Sequence, residues 1–423
     1  MHISRRDVLA GMGGMAIAAA IPPLHDHAYA HFHTHPSRPP QELPRRPDFS
    51  IPEDVTFLNC AYTHPLPDAA AHAMAEYAYA RARPGAVMTG TSELAARVRS
   101  DFARLINARA AEIAFIPNTS TGENLVVNGL RIAERARSGI NVVTDALHFE
   151  GALIHLDALQ RERGLEVRTV MPKDHRIDIA DLARVVDRNT ALIEVSLVAM
   201  YNGFQHDLKA VSDLAHAHGA YVYADIIQGA GAVPIDVQAS GVDFCACAGF
   251  KWLMSDFGLG FLYAREDLLD GVVRRSQWGY HSAVAMATHF LPYDAPGDRF
   301  FTWEAGADAG ATFEVGSRAN GALAALGASL PYILSIGVEN IQAHRQPLLR
   351  RLRDEMPRLG FEPVTPPATT SPLITFAMRD GRDVAARLRA ARVNARVASN
   401  YIRLSPSVFN DMGDIERLLE ALS

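Results

Sequence analysis

Short apolar runs alternate with amphipathic stretches along most of the chain. Ile113–Ile116 and residues 221–224 and 242–248 are apolar at nearly every position, which is typical of strands buried on both faces. The segments between such runs carry apolar residues at helical spacing, for example AVSDLAHAHGA at 210–220. This alternation of strand and helix predicts an α/β fold with a mostly parallel, doubly wound sheet.

The same pattern divides the chain into four parts. Residues 1–30 are predicted to be an export signal, and residues 31–54 a His- and Pro-rich linker. Residues 55–330 carry the strand and helix units of a large domain with a short N-terminal segment. Residues 331–423 are predicted to form a smaller C-terminal α+β domain. The chain has 423 residues, 48% of them hydrophobic and 21% charged, which is long enough for two packed domains.

The N-terminal segment has the features of a secretory signal. Arg5 and Arg6 precede a weakly apolar, Gly- and Ala-rich run, and the Ala-Tyr-Ala of residues 28–30 fits a cleavage site. The paired arginines resemble a twin-arginine (Tat) signal peptide. An uncleaved anchor is the less favoured alternative, because the run is short and Gly-rich for a membrane span. The expectation is a periplasmic or secreted protein that uses the Tat export machinery and has no stable membrane association.

Composition narrows the function classes. A formal charge of -6 gives no sign of nucleic-acid binding. Three cysteines without a CxxC pair predict neither a disulfide framework nor a zinc site. A histidine tract stands beside the expected cleavage site and consists of His25, His27, His31, His33 and His35. Such a tract can bind metal, but without accompanying Cys, Asp or Glu ligands a solvated linker is favoured, and no metal site is predicted.

Two predicted strand ends bring an acid and a lysine to the same edge of the sheet. One apolar run ends on Asp225, and the next leads through Phe250 to Lys251. Open α/β sheets bind ligands at the carboxyl ends of their strands. A lysine between apolar neighbours such as Phe250 and Trp252 loses solvation, so its pKa falls and its amine becomes nucleophilic enough to form a Schiff base. A carboxylate facing it could hold a pyridinium nitrogen protonated, which is the electronic basis of pyridoxal phosphate chemistry.

These residues resemble those of the aminotransferase class V family of pyridoxal-phosphate enzymes, which have fold type I. The matching residues are Asp225, Gln228, and Lys251 within FKWLMSDFGLGFLY. The resemblance implies that Asp225 pairs with the pyridine nitrogen, Gln228 contacts the ring hydroxyl and Lys251 carries the cofactor. The Lys-Trp pair and the turn at Asn118 are most similar to the isopenicillin N epimerase branch. The structural alternatives are that Asp225 caps a turn and that Lys251 is an ordinary strand-end lysine.

A polar turn is the candidate phosphate site. Ile113–Ile116 leads into this turn at residues 118–122, and helical spacing is predicted from Asn124 onward. A helix N-terminus offers unpaired backbone N–H groups and a favourable dipole to an anion, and Ser120 and Thr121 add hydroxyl donors. The phosphate turn of the family is similar. Helix capping by these side chains is the alternative, and it is compatible with phosphate binding.

Three more site assignments follow from the resemblance alone. It implies an aromatic ring stacked on the cofactor, for which His148 is the first choice and Phe149 the second. It implies a homodimer with a shared active site, in which Ser317 reaches the phosphate held by the partner. It also implies that Arg403 grips the substrate carboxylate through two parallel hydrogen bonds. A surface salt bridge is the alternative for Arg403.

Two regions are assigned to the substrate side of the site. Asn59, Tyr62 and His64 lie in a segment that resembles the family's N-terminal cover of the active site, although core or turn roles are the favoured alternative. The sequence from 265 to 303 shows little periodicity and many aromatic, Gly and Pro residues. Long irregular loops in compact enzymes are usually functional, so this segment is assigned to the wall of the substrate pocket.

The predicted function is that of an exported enzyme that acts at the α-carbon of an amino acid or an amino-acid-containing metabolite, similar to isopenicillin N epimerase. The alternatives are a carbon–sulfur or carbon–selenium lyase, a transaminase-like tailoring enzyme of a secreted product, and a non-catalytic periplasmic binding protein. Transfer of sulfur to a mobile cysteine is not expected. Cys60 lies near the start of the fold, and Cys245 and Cys247 lie within a predicted strand.

Overall fold

The computed structural model describes residues 42–83 and 91–423. The predicted export signal and the histidine tract lie outside the described residues, as does the first half of the predicted linker. Within the described part, strands and helices alternate as the sequence predicts.

Strands and helices are numbered here in chain order. The strands are β1 (Thr56–Phe57), β2 (Ile113–Ile116), β3 (Asn141–Asp145), β4 (Glu166–Val170), β5 (Thr190–Ser196), β6 (Tyr221–Asp225), β7 (Phe244–Ala248), β8 (Gly260–Ala264), β9 (Ala283–Thr288), β10 (Phe301–Ala305), β11 (Glu362–Pro363), β12 (Ile374–Ala377), β13 (Val393–Asn394), β14 (Arg396–Val397) and β15 (Tyr401–Leu404). The helices are α1 (Asp68–Arg81), α2 (Thr91–Leu105), α3 (Thr119–Gly129), α4 (Ile132–Arg135), α5 (Glu150–Arg163), α6 (Ile179–Ala183), α7 (Leu208–Ala217), α8 (Val237–Ser240), α9 (Glu266–Leu269), α10 (Ala309–Phe313), α11 (Asn320–Ile336), α12 (Val338–Glu355), α13 (Gly381–Ala390) and α14 (Met412–Leu422).

Seven strands form the central sheet, in the order β2-β8-β7-β6-β5-β3-β4. The five strands from β4 to β7 are parallel to one another, and β8 is antiparallel to both β7 and β2. One apolar cluster covers each face of this sheet, and both clusters include residues from the surrounding helices. The mostly parallel, doubly wound sheet is therefore confirmed, and its parallel strands end along one edge, where ligands bind in such sheets.

Local sequence explains how the chain reaches that edge. Helix α7 begins at a cap in which the Asp207 carboxylate accepts the N–H of Ala210 at 3.1 Å, which pairs one of the open donors of the first turn. The apolar side of α7 packs against β5 and β6. The helix returns the chain to β6 and so fixes where Asp225 emerges from the sheet.

The C-terminal part forms a second, smaller unit. Strands β11, β12, β15 and β14 make an antiparallel sheet whose apolar core also includes residues of α12, α13 and α14. Strand β1 pairs in parallel with β13, so the N-terminal segment joins this unit. The predicted domain boundary at residue 331 falls inside α11. The helical chain breaks instead at Gly337, whose φ of 85° glycine adopts without strain.

The segment 265–303 contains a β-hairpin that the sequence pattern did not predict. Strands β9 and β10 are antiparallel, with Phe301 paired to Thr288. AVAMAT carries apolar residues on both faces, so it lacks the alternation that marks a half-buried strand, whereas FTWEA alternates but is only five residues long. Phe290 and Tyr293, in the loop that joins the two strands, are exposed.

No single described helix is long and apolar enough to cross a membrane. Asn320–Ile336 and Val338–Leu359 satisfy the length and composition test only when taken together, and they are bent by 73° at their junction. The first of these helices packs against α1 and α2 in this structure.

Candidate active site

Asp225 and Lys251 meet at the C-terminal edge of the central sheet. Asp225 is the last residue of β6, and Lys251 lies in the turn that follows β7. The two residues are 4% and 8% exposed. The Asp225 carboxylate accepts the N–H of Ile227 at 2.9 Å, as in a turn cap. Each of the two charged groups acts on the pKa of the other, so they lie within electrostatic reach as the sequence predicts.

Burial moves both groups toward neutral pH. Burial raises the pKa of Asp225 to about 6, although the Ile227 N–H and the Lys251 charge oppose it. Burial lowers the pKa of Lys251 to about 8, an effect that Asp225 opposes and the charge of Arg403 strengthens. A lysine with such a pKa has an appreciable fraction of free amine near neutral pH. That form is needed for nucleophilic attack and for proton transfer.

Arg403 reaches the same place from the C-terminal unit. It lies on β15, is 4% exposed and donates from Nη1 to the carbonyl of Met200 at 2.8 Å. Its Nε is buried and has no hydrogen-bond partner among the described residues. Burial lowers the pKa of Arg403 to about 10. A buried guanidinium with an open donor beside Lys251 fits a carboxylate ligand, and a surface salt bridge does not describe it.

The candidate phosphate turn is the first turn of helix α3. This helix begins at Thr119, five positions before the predicted start at Asn124, because Asn118 caps it. The Asn118 Oδ1 accepts the N–H of Thr121 at 2.9 Å and the Thr121 hydroxyl at 3.1 Å. Ser120 lies between Asn118 and Thr121 in the first turn of the helix, where free backbone N–H groups and the helix dipole favour binding of an anion. Asn118 is therefore the cap, and neither Ser120 nor Thr121 takes that position as the alternative proposed; Thr121 donates to the cap, and the turn keeps the geometry of an anion site.

Thr119 links this turn to Asp225 and was missed by the sequence analysis. Its side chain acts on the Asp225 carboxylate and lowers the pKa of that group, and its carbonyl accepts the hydroxyl of Tyr223 at 3.2 Å. The action of Thr119 on Asp225 becomes clear only from the structure, in which the turn lies beside β6. In the sequence, a threonine in a polar turn is too common to suggest such a role.

Gln228 holds two loops together. Its Nε2 donates to the carbonyl of Ala61 at 2.8 Å, and its Oε1 accepts the indole N–H of Trp252 at 2.9 Å. The residue is 2% exposed. Its amide thus fixes the N-terminal segment against the turn that carries Lys251, and contact with a ring hydroxyl stays a prediction.

The structure places the two candidates for the stacked ring in different surroundings, and which of them stacks on the cofactor stays a prediction. His148 is fully buried and hydrogen-bonds the Ser196 hydroxyl through Nδ1 at 2.9 Å, below the edge of the sheet. Phe149 caps α5, and its ring flanks Gly151, where an added Cβ would lie 2.6 Å from the ring and 3.2 Å from the Ser120 hydroxyl. Phe149 therefore lies beside the phosphate turn, and His148 faces the interior. Sequence spacing along the loop could not decide between these two adjacent residues.

Ser317 and the phosphate turn lie on one cavity. The cavity has a volume of about 260 Å³, and both Thr121 and Ser317 line it within a single chain. The role of Ser317 toward the phosphate of a partner stays a prediction.

The N-terminal candidates separate into two groups. His64 is buried, hydrogen-bonds the Ser407 hydroxyl at 2.7 Å, and has its pKa lowered to about 4 by burial, so it belongs to the core. Asn59 and Tyr62 line a groove of about 570 Å³ that also includes Arg396. The Oδ1 of Asn59 is buried without a hydrogen-bond partner among the described residues. Asn59 and Tyr62 thus remain substrate-side candidates.

The described residues fit pyridoxal phosphate. Asp225 is a buried carboxylate suited to a pyridine nitrogen, and Lys251 is a desolvated amine beside it. The first turn of α3 offers an anion site, and Phe149 offers an aromatic face close to that turn. Gly151 has no room for a side chain between the ring and the turn. The set therefore matches both the charges and the flat ring of the cofactor.

Comparison with known proteins decides the family. A family model described as aminotransferase class-V matches residues 56–417. The chain belongs to the aminotransferase class-V family. It is a pyridoxal-phosphate-dependent enzyme with an α/β fold of type I, and the alternative of a non-catalytic binding protein is set aside.

Several relatives of this class-V enzyme have names that specify a reaction. A probable cysteine desulfurase of Methanothermobacter thermautotrophicus is 29% identical over 351 residues, covering 80% of this chain and 82% of its own. The apo structure of a cysteine desulfurase from Thermococcus onnurineus NA1 has a TM-score of 0.77 at 22% identity, covering 90% of this chain and 97% of its own. The cystine C-S lyase C-DES, in complex with cysteine persulfide, has a TM-score of 0.74 at 22% identity, covering 88% and 97%. These proteins give no support to the expected likeness to the isopenicillin N epimerase branch.

Proposed function

We propose that this enzyme is a carbon–sulfur lyase that cleaves the Cβ–S bond of a sulfur-containing α-amino acid and releases the sulfur directly. Similarity to cysteine desulfurases and to a cystine C-S lyase supports the bond that is cleaved. The state of the three cysteines supports direct release. This proposal takes up the lyase alternative of the sequence analysis.

The cofactor would be held by residues of the sheet edge. Asp225 would pair with its ring nitrogen, Ser120 and the first turn of α3 would bind its phosphate, and Phe149 would cover one face of its ring. When bound, pyridoxal phosphate withdraws electrons from the Cα of an attached amino acid and so makes the Cα proton acidic.

Arg403 and Lys251 would act on the substrate. Arg403 has an open Nε donor and would bind the α-carboxylate, since a guanidinium pairs with a carboxylate in a planar, bidentate manner. The charge of Arg403 acts on Lys251, so the two side chains lie close together. A substrate whose carboxylate binds Arg403 would therefore have its Cα near the Lys251 amine. The Lys251 amine, with a pKa of about 8, would take the Cα proton.

The single observation that selects a lyase over a desulfurase is the burial of every thiol. The chain has three cysteines, and Cys60, Cys245 and Cys247 are each no more than 1% exposed. Burial raises the pKa of all three thiols, so they are protonated at neutral pH. A sulfur acceptor must be an accessible thiolate. Without one, the Cβ–S electron pair leaves with the sulfur, and cysteine plus water gives pyruvate, ammonia and hydrogen sulfide.

Product analysis tests this proposal. The holoenzyme is incubated with L-cysteine and L-cystine, and pyruvate, alanine, sulfide and the configuration of residual substrate are measured. We expect pyruvate together with sulfide, or with persulfide from cystine. Alanine as the main product would overturn the proposal in favour of a desulfurase. Inverted residual substrate would indicate an epimerase, and a keto acid that retains sulfur would indicate a transaminase.

Alkylation provides a matched control. Native holoenzyme is treated with iodoacetamide and then assayed with an excess of substrate after removal of the reagent. Because the thiols are buried and protonated, we expect full retention of activity. Loss of activity together with alkylation of one cysteine would contradict direct release of sulfur.

We also propose a homodimer with a shared active site. The resemblance of the segment around Ser317 to the family segment that reaches the partner's phosphate supports the idea, and within one chain Ser317 lines the same cavity as Thr121. Light scattering of the purified holoenzyme tests the stoichiometry. If the dimer shares its sites, a mixture of Lys251→Ala and Ser317→Ala subunits should regain one intact site per mixed dimer, and a monomeric enzyme would contradict the proposal.

Export is a separate proposal that rests on the sequence of the N-terminal segment. The paired arginines at Arg5 and Arg6 and the Ala-Tyr-Ala at 28–30 support it. We expect the protein in the periplasm or the medium, cleaved after residue 30, and retained in the cytoplasm when both arginines are replaced by lysine. Equal fractionation of the wild type and this variant would contradict it.

A further inference from the structure

A compact cluster of acids and histidine lies beneath the active site. It consists of Glu123 on α3, His148 in the loop before α5, and Glu194 on β5. One ligand atom from each residue lies within 4.8 Å of the others. The residues are 3%, 0% and 0% exposed, and the charge of Glu123 acts on Asp225 from this position. The cluster therefore lies in the layer directly under the cofactor-binding edge.

Several polar atoms of the cluster lack partners. Both carboxylate oxygens of Glu194 and the Nε2 of His148 are buried and have no hydrogen-bond partner among the described residues. Buried polar side-chain atoms in native proteins are nearly always paired with protein, water or an ion. An isolated carboxylate in the interior is especially unfavourable. Three unpaired atoms in one small volume therefore point to a ligand that the chain does not supply.

The ligand must be a cation or a proton. The Glu194 and Glu123 carboxylates lie buried within 4.8 Å of each other, and no lysine or arginine among the described residues pairs with either of them. Histidine and carboxylate ligands together suit Zn²⁺ and similar transition metals, whereas Ca²⁺ and Mg²⁺ prefer all-oxygen sites. Two carboxylates would also neutralise one divalent charge.

Other residues already orient the ligand atoms. The Nδ1 of His148 pairs with the Ser196 hydroxyl at 2.9 Å, and when Nδ1 carries the proton Nε2 presents its lone pair to the cluster. His155 pairs through Nδ1 with the Glu123 carboxylate at 2.7 Å. Metal-binding histidines and carboxylates usually have such outer hydrogen bonds. An accidental pair of buried acids would not require them.

We propose that Glu123, His148 and Glu194 bind one divalent transition-metal ion of the Zn²⁺ class. Ligand atoms around tetrahedral zinc are roughly 3.3 Å apart, so the side chains need only small movements to close on the ion from a spread of at most 4.8 Å. The ion would cross-link α3, β5 and the loop before α5. It takes no part in the reaction, and it holds the phosphate turn and the Phe149 loop in a fixed relation.

Metal analysis of the full-length holoenzyme tests the proposal. The protein is expressed with added Zn²⁺, purified without a metal column, dialysed against metal-free buffer and analysed by inductively coupled plasma mass spectrometry. We expect about one zinc per chain in the wild type and loss of that equivalent in Glu194→Gln and in His148→Gln. The histidine tract at 25–35 is common to all variants, so the difference between variants reports the cluster alone.

Glu112→Gln is the matched control. Glu112 is also a buried carboxylate, 1% exposed, but it bonds the backbone N–H groups of Arg109 and Glu266 far from the cluster. This variant should keep its zinc. Wild-type protein that holds no more zinc than Glu194→Gln would overturn the proposal and leave a proton on Glu194. The wild type alone also tests the proposal, even if a variant fails to fold. Wild-type protein that contains no zinc and has the same Tm in Zn²⁺ and in EDTA would overturn the proposal.

Discussion

Two buried groups of ionisable residues lie one above the other in this enzyme, and they are balanced in different ways. At the edge of the sheet, Lys251, Asp225 and Arg403 combine charges of both signs, and burial brings their pKa values to about 8, 6 and 10. In the layer below, Glu123 pairs with His155, neither Glu123 nor Glu194 pairs with a described lysine or arginine, and burial together with like charge raises the pKa of Glu194 well above its usual range.

This difference in charge balance means that burial has a different effect in the two groups. Where opposite charges meet, each limits the shift of the other, and the groups remain able to exchange protons near neutral pH. Where acids meet without a cation from the chain, the group is stable only with a bound ion or proton. The upper group is therefore suited to catalysis, and the lower group to holding a ligand. Five predictions test this contrast.

The largest effect is expected for Lys251→Ala. We expect turnover to fall by about 10³-fold or more, because a positioned acid–base group alone contributes about 10²–10⁴-fold and the attachment of the cofactor is also lost. Product assays and the visible spectrum of the bound cofactor measure this. Lys209→Ala is the control, since Lys209 is an exposed lysine paired with Asp213. A Lys251→Ala enzyme with a tenth of wild-type activity would remove Lys251 from the mechanism.

The pH dependence of cofactor capture should follow the lowered pKa of Lys251. Only the free amine attacks, so the rate at which apoenzyme takes up pyridoxal phosphate should rise about tenfold per pH unit up to pH 7 and level off above pH 8. An ordinary lysine would give a continued rise toward pH 10. Stopped-flow absorbance measures the rate, and a profile that still climbs at pH 9 contradicts burial of the amine.

The same pKa predicts the direction of a stability change in the apoenzyme. The folded state holds this proton less tightly than the unfolded state, whose lysine keeps the usual pKa of 10.5. Between about pH 8 and pH 10.5 the unfolded chain binds more protons, so this group makes the free energy of unfolding rise with pH.

Arg403→Lys should affect substrate binding more than turnover. Loss of the planar, two-bond grip on the carboxylate should raise KM by about 10- to 100-fold, as expected for a charged hydrogen bond of about 1.5–3 kcal/mol, with a smaller change in kcat. Steady-state kinetics separate the two constants. Arg351→Lys is the control, because Arg351 pairs with Glu416 in the C-terminal unit. A fall in kcat at unchanged KM would show that Arg403 does not bind the carboxylate.

The smallest effect compares two adjacent residues, one in each group. Phe149→Ala should weaken pyridoxal phosphate binding by about 2- to 10-fold, because an aromatic contact contributes about 0.5–1.5 kcal/mol. His148→Gln should weaken it less than Phe149→Ala does, since His148 faces the lower group and affects the cofactor only through the position of the loop. Fluorescence titration of the apoenzymes measures both. The opposite order would restore His148 as the stacked ring.

Much of the architecture was predictable because short-range patterns decide it. The strand Ile113–Ile116 and the strand end at Asp225 were found where the sequence placed them, since apolar runs buried on both faces are distinctive. The start of α3 was missed because capping by Asn118 turns a polar, loop-like stretch into the first turn of a helix. The hairpin β9–β10 was missed because β9 lacks alternation and β10, which alternates, is only five residues long.

The residues of the candidate site that lie in family motifs or at strand ends were predictable from the sequence. Asp225, Lys251 and Arg403 were named from sequence, and the structure brings all three together. The choice between His148 and Phe149 required the fold, because two neighbours in a loop have the same spacing from every other motif. Thr119 was overlooked for a similar reason, as its contact with Asp225 joins separate parts of the chain.

The alternation of strands and helices, the acid and lysine at two strand ends, and the family all follow from residues close together in sequence, where periodicity and motif spacing carry the information, whereas the order of the strands in the sheet does not. The buried cluster depends on contacts between distant segments. Glu194 is a charged residue within the otherwise apolar strand Thr190–Ser196, yet nothing in the local sequence shows that Glu123 and His148 lie beside it. Their meeting depends on how α3 and α5 pack on the sheet, because helix packing and not local pattern sets which side chains share an interior volume.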